Sequence, residues 1–132
     1  MTDLPKPPKV PCGTCPYRQD VPSGIWSRHE YEKLPHYDGE IFDQMMAGAF
    51  GLFMCHQRDG CLCGGWLKTH GPDNLLALRM RDVDPSVWTY DPPTPCWASG
   101  QEAHDHGVRD VEYPGADARR KIDGLLKQRG EG

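Results

Sequence analysis

Two groups of cysteines constrain this chain more than any periodic pattern in it. The first is CGTC, Cys12 to Cys15, and the second lies in MCHQRDGCLCGGW, Met54 to Trp66, which holds three cysteines and a histidine. Cys-x-x-Cys is the spacing at which a tight turn aims two thiolates at one ion while the backbone amides of the turn hydrogen-bond the sulfurs. Alone that pair is a moderate signal. With Cys55, Cys61 and Cys63 far along the chain it becomes a strong one, because a tetrahedral site wants two half-sites from distant segments. Any fold that uses them must bring residues 12–15 against residues 55–63, and closing that loop around an ion stabilises the chain directly.

The rest of the composition makes such a staple welcome. In 132 residues there are 13 prolines and 15 glycines, which imply many turns and short regular elements. The expected fold is a small, irregular α+β single domain with short helices around a cysteine metal site. Residues 1–11, with four prolines and two lysines, form an extended proline-rich arm, and 12–132 form the metal-binding domain. The formal net charge of −4 lacks the basic footprint of a nucleic-acid binder. Arg119, Arg120, Lys121, Lys127 and Arg129 gather near the C-terminus, but Asp117, Asp123 and Glu131 interleave with them. No apolar run reaches the length of a membrane span and the N-terminal stretch lacks the apolar centre of a secretory signal, so the expected setting is the cytoplasm. Six cysteines in a reducing compartment favour metal or redox chemistry over disulfides.

The ligand set follows from spacing. Cys12, Cys15 and Cys55 take three places, and Cys61 and Cys63 compete for the fourth. Gly64-Gly65 favours Cys63 by letting the backbone approach the ion closely, leaving Cys61 as a nearby spare thiol, and the choice between the two stays open. Two further candidates are His56, which as the immediate neighbour of Cys55 points to the opposite side of an extended segment, and His70, two helical turns past Cys63. His104 and His106 read as surface residues, and Cys96 as a structural thiol. Trp26, Trp66, Trp88 and Trp97 are assigned to the core, Trp66 close enough to Cys63 to shield an ion from water. Zinc suits four thiolates, or three with one histidine, in a small domain; a 4Fe–4S cluster uses the same ligands and is the alternative.

Among the helices, Ser27-x-x-Glu30 has the form of a capping box and starts one over residues 28–34, with Pro35 as its stop. Ile41, Met45 and Ala49, with Phe42 and Met46 beside them, predict a buried helical face over 40–49. Residues 50–54 read as a brief extended segment delivering Cys55. Further helices are expected over 74–81, after the Ser99-x-x-Glu102 box as far as Gly107, and after Pro114, where Ala118, Ile122, Leu125 and Leu126 form a docking stripe.

The segments CGTCPYRQDVPSGIW, EYEKLPHYD, MCHQRDGCLCGGW, LALR, SGQEAHDHG and VRDVEYPGADARR resemble a family of small proteins of actinobacteria and their phages, classed as a domain of unknown function. The resemblance spans Cys12 to Arg120. It implies a metal site carried on CxxCP and CH…CxGW, here Cys12, Cys15, Cys55 and Cys63 with His56 as a further donor, and an actinobacterial or phage cytosol. It supplies no reaction. The sequence has no HExxH helix, no phosphate-cradling glycine loop and no His-x-Glu deaminase signature. The function expected is therefore that of a non-enzymatic zinc protein presenting a surface to a protein partner; the alternative is redox or oxygen sensing through a cluster or through Cys61.

Overall fold

Helices begin where the sequence supplies a start signal and stop within a few turns, where proline, glycine or a capping side chain interrupts them. The computed structural model describes residues 4–55 and 60–130. The helices are α1 (Arg28–Glu32), α2 (Ile41–Met46), α3 (Gly64–His70), α4 (Leu76–Arg79), α5 (Gly100–Val108) and α6 (Ala116–Gly130), with 3₁₀ turns at Leu34–Tyr37, Pro72–Asn74 and Pro85–Thr89. The extended pairings among the described residues are isolated bridges, Lys6 with Cys61, Arg18 with Cys96 and Met54 with Leu62, and none grows into a sheet. The expected α+β class is thereby corrected to a helical one. Segment 50–54 contributes a single bridged residue, and prolines flanking the Arg18–Cys96 bridge remove the amides a longer ladder needs.

Residues 5–6 of the proline-rich segment are paired along the molecule, and the chain bends at residues 9–10. The Pro5 carbonyl accepts from the Asp84 amide at 3.0 Å, and the Lys6 carbonyl from the Leu62 amide at 2.9 Å. Pro8 and Pro11 are buried. Beneath them the core gathers Tyr17, Leu34, Leu62, Trp66, Leu67, Leu75, Leu78 and Val87.

The capping expectations divide. Ser99 does cap α5, its hydroxyl accepting from the Glu102 amide at 3.1 Å. Asp38 adds a second cap from outside, its carboxylate accepting from Gly100 at 2.7 Å and Gln101 at 2.9 Å. Gly107 lies inside α5 and allows close contact, since a Cβ there would strike the Tyr31 ring. Ser27 makes no side-chain cap on α1, which ends at Glu32 and passes into a 3₁₀ turn. The α6 stripe is only partly docked: Ala118 and Leu125 are buried, Ile122 half-buried and Leu126 exposed.

The largest departure is α2: Ala49, beyond its end, is buried and Ile41 half-buried as expected, but Phe42, Met45 and Met46 point outward. Phe42 is 66% exposed and Met46 72%, whereas Gln44 is fully buried. The Gln44 amide nitrogen donates to the Gly39 and Asn74 carbonyls at 3.3 and 2.5 Å, and its oxygen accepts from the Leu76 amide at 3.0 Å. A six-residue helix has too few apolar contacts to outweigh a buried side chain that bonds three backbone groups at once. Trp88 is also exposed, and His106 is tied into the structure, its Nε2 lying 2.8 Å from the Val21 carbonyl oxygen and its ring 5.0 Å from that of Trp97.

Candidate metal centre

The second cysteine group sits on a short antiparallel pairing. The Cys63 amide donates to the Phe53 carbonyl at 2.9 Å and the Cys55 amide to the Cys61 carbonyl at 2.8 Å, either side of the Met54–Leu62 bridge. This register sets Cys63 opposite Phe53 and Cys61 opposite Cys55. Side-chain alternation places these four on one face, with Met54 and Leu62 on the other. The first group is a turn closed by the Cys15 amide donating to the Cys12 carbonyl at 3.0 Å, and it is anchored further on where Tyr17 accepts from Trp97 at 2.9 Å.

The fold brings the two groups together. Cys15 Sγ and Cys63 Sγ are 3.6 Å apart and buried, and the Cys12 thiol is hydrogen-bonded to Cys55. That contact, then burial and the charges of Cys15 and Cys55, push the Cys12 thiol well above its ordinary range. Burial, followed by the Cys15 neighbour, pushes Cys63 up. Burial opposes ionisation of Cys15 as well, but the hydrogen bond to Cys63 and two backbone amides outweigh it, so its net shift is downward. The thiols gather as two pairs; among the described residues no group of three or more His, Cys, Asp or Glu side chains is arranged to hold an ion.

The surroundings suit thiolate sulfur. Cys12 is bonded by the Thr14 backbone, Cys15 by those of Tyr17 and Gly65, and Cys63 by that of Trp66. Each favours the charged form, as amides around metal-bound cysteine do. A Cβ on Gly65 would lie 2.5 Å from Cys15 Sγ and 2.5 Å from Tyr17 Cβ, and one on Gly64 2.5 Å from the Tyr90 hydroxyl. The glycine pair thus allows α3 to start directly against the first cysteine turn. The Tyr90 hydroxyl is buried with no hydrogen-bond partner among the described residues. Burial and then the neighbouring cysteines, Cys63 first, raise its pKa.

The remaining candidates lie apart. Cys61 is half-buried, on the thiol face but one register step away from Cys63. His56 lies outside the described residues. Both ring nitrogens of His70 have partners: Nε2 is 2.9 Å from the Tyr17 hydroxyl and Nδ1 3.5 Å from Asp38. Burial lowers its pKa to about 4, against the pull of Asp38, so the ring is neutral at pH 7. Trp66 is fully buried, its ring 5.3 Å from that of Tyr37, and its indole nitrogen has no partner among the described residues. Cys96 is half-buried, and burial pushes its thiol up to about 12. Tyr90 and the Asp38–His70–Tyr17 chain were not legible as supports of the site, since neither carries a spacing signal.

The family model of DUF6283, a family of unknown function, matches residues 7–123. The chain belongs to that family. The match includes all six cysteines and runs from the residue after Lys6 to the middle of α6. No curated protein and no solved structure matches the chain. Among the described residues no helix is long and apolar enough to cross a membrane.

Proposed function

We propose that this chain is a small metal-binding protein in which Cys12, Cys15, Cys55 and Cys63 hold one zinc ion in a closed, four-thiolate site. The observation that carries the reading is the meeting of the two half-sites, with Cys15 and Cys63 sulfurs 3.6 Å apart. Zn–S bonds of about 2.3 Å in a tetrahedron set neighbouring sulfurs about 3.8 Å apart, so this pair already stands near one edge of the polyhedron. A 4Fe–4S cluster spreads its four cysteines over the corners of a cube, which a close pair fits less well. Four buried or half-buried thiols cannot all ionise in each other's presence; a dication removes that conflict, and the backbone amides then have charged sulfur to bond.

Such an ion is structural: it joins the N-terminal turn to the 53–63 pairing and leaves no open position for substrate. An interaction role, with a protein partner, fits the outward apolar face of α2 better than a catalytic role fits any group of side chains among the described residues. Metal analysis and an absorption spectrum of protein purified without oxygen test the reading. One zinc per chain without a visible band is expected, lost in Cys63→Ser and retained in Cys61→Ser. Brown protein containing iron and sulfide, or zinc retained in Cys63→Ser, overturns it.

A further inference from the structure

The fifth thiol of the centre has a position that the metal reading does not use. Cys61 stands directly across the antiparallel pairing from Cys55, its carbonyl accepting the Cys55 amide at 2.8 Å. Residues opposed in this way have Cα atoms about 5.5 Å apart when the pair is hydrogen-bonded, inside the range a disulfide spans. Both side chains lie on the face shared with Cys63. Cys15 and Cys63 are almost fully buried, whereas Cys55 and Cys61 are both partly exposed. The accessible end of the thiol face is therefore a pair in which one cysteine belongs to the four-thiol set and the other does not.

We infer that Cys55 and Cys61 form an oxidation site for hydroperoxides, in which a disulfide between them withdraws Cys55 from the metal centre. The metal half of this inference rests on the four-thiolate reading; the crosslink does not. The hydroperoxide transfers its terminal oxygen to the Cys61 thiol, breaking the O–O bond, so that Cys61 becomes a sulfenic acid and the alcohol, or water from hydrogen peroxide, departs. The Cys55 sulfur then attacks the Cys61 sulfur, the S–O bond breaks, and the oxygen leaves as water, taking the Cys55 proton in the metal-free chain and a proton from solvent where Cys55 is held as a thiolate. Two thiols lose two electrons and the peroxide gains them. Reduction by a cellular dithiol breaks the disulfide and restores Cys55 to the centre.

The experiment uses the full chain loaded with zinc, treated with hydrogen peroxide, with a chelating dye to follow zinc and mass analysis of an unreduced digest to map the bond. Cleavage after Arg58 separates Cys55 from the peptide bearing Cys61 and Cys63, and fragmentation of the joined peptides distinguishes those two. The expected result is a Cys55–Cys61 bond formed in step with zinc release. In Cys61→Ser zinc content is unchanged and release is slower by about tenfold or more, because the neighbouring sulfur's effective concentration is lost. A first-formed bond joining Cys15 to Cys63 or Cys12 to Cys55, or release from Cys61→Ser at the wild-type rate, overturns the inference. A chain that takes up no zinc yet forms the Cys55–Cys61 bond sinks the metal reading and upholds the crosslinking pair.

Discussion

The thiol crossing and the face of α2 place polar and apolar groups in opposite ways. At the crossing, four cysteines from two distant segments turn inward, and backbone amides meet three of their sulfurs from within the same turns. On α2 an amide side chain occupies the interior while Phe42, Met45 and Met46 face solvent. Both arrangements obey one rule: a buried polar group stays buried when its partners are fixed by the backbone. Gln44 finds Gly39, Asn74 and Leu76. Hydrophobic periodicity counts only the apolar side of that balance, and in a helix of six residues the polar side wins.

The sharpest way to break the contrast is to remove a thiol from its inner edge. Structural zinc contributes on the order of 10 kcal/mol in small domains, so Cys63→Ser is expected to lose the ion and most of the helical circular dichroism together. A variant melting at the wild-type temperature would put the crossing on the same footing as an ordinary core contact. Next comes the acid dependence that His70 confers from beneath. Its pKa is about 4 in the folded chain against 6.5 ordinarily. The unfolded chain therefore binds the extra proton between these values, and stability present above pH 6.5 is lost as pH falls towards 4, by up to about 3 kcal/mol. Denaturant titrations across that window should be shallower in pH for His70→Gln than for the wild type; identical slopes would remove His70 from the account.

Two further substitutions compare the regions directly. Gly65→Ala drives a Cβ into Cys15 and Tyr17 and should cost about 2–3 kcal/mol by overpacking. Gln44→Leu strands the buried Leu76 amide and removes the bonds to the Gly39 and Asn74 carbonyls, and should cost about 2 kcal/mol despite raising the helix's apolar content. Smallest of all, Met46→Ser on the outer face should shift stability by less than about 0.5 kcal/mol. If Met46→Ser destabilised more than Gln44→Leu, as judged by urea midpoints, the inverted reading of α2 would be wrong.

What the sequence disclosed follows the same division. Cysteine spacing picked out the two segments that the fold brings together, and the same-face placement of Cys61 and Cys63 follows from alternation along an extended segment. The Ser99 cap and the start of the last helix were also legible, because each depends on neighbours within a few residues. The fold class was not. Residues 50–54 have the composition of a strand, but pairing depends on what lies alongside, and only Met54 bridges. Trp88 and the His106 contact were missed for the same reason: exposure and capture by a distant carbonyl depend on residues far away in sequence.

The routing of the first twenty residues also sets an order of events during synthesis. Pro5 and Lys6 wait for Asp84 and Leu62, Cys15 for Cys63, and Tyr17 and Gln19 for Trp97 and Pro95. The segment over residues 5–19 is therefore made before the residues it pairs with, and its two thiols remain uncovered until the chain has been made well past them.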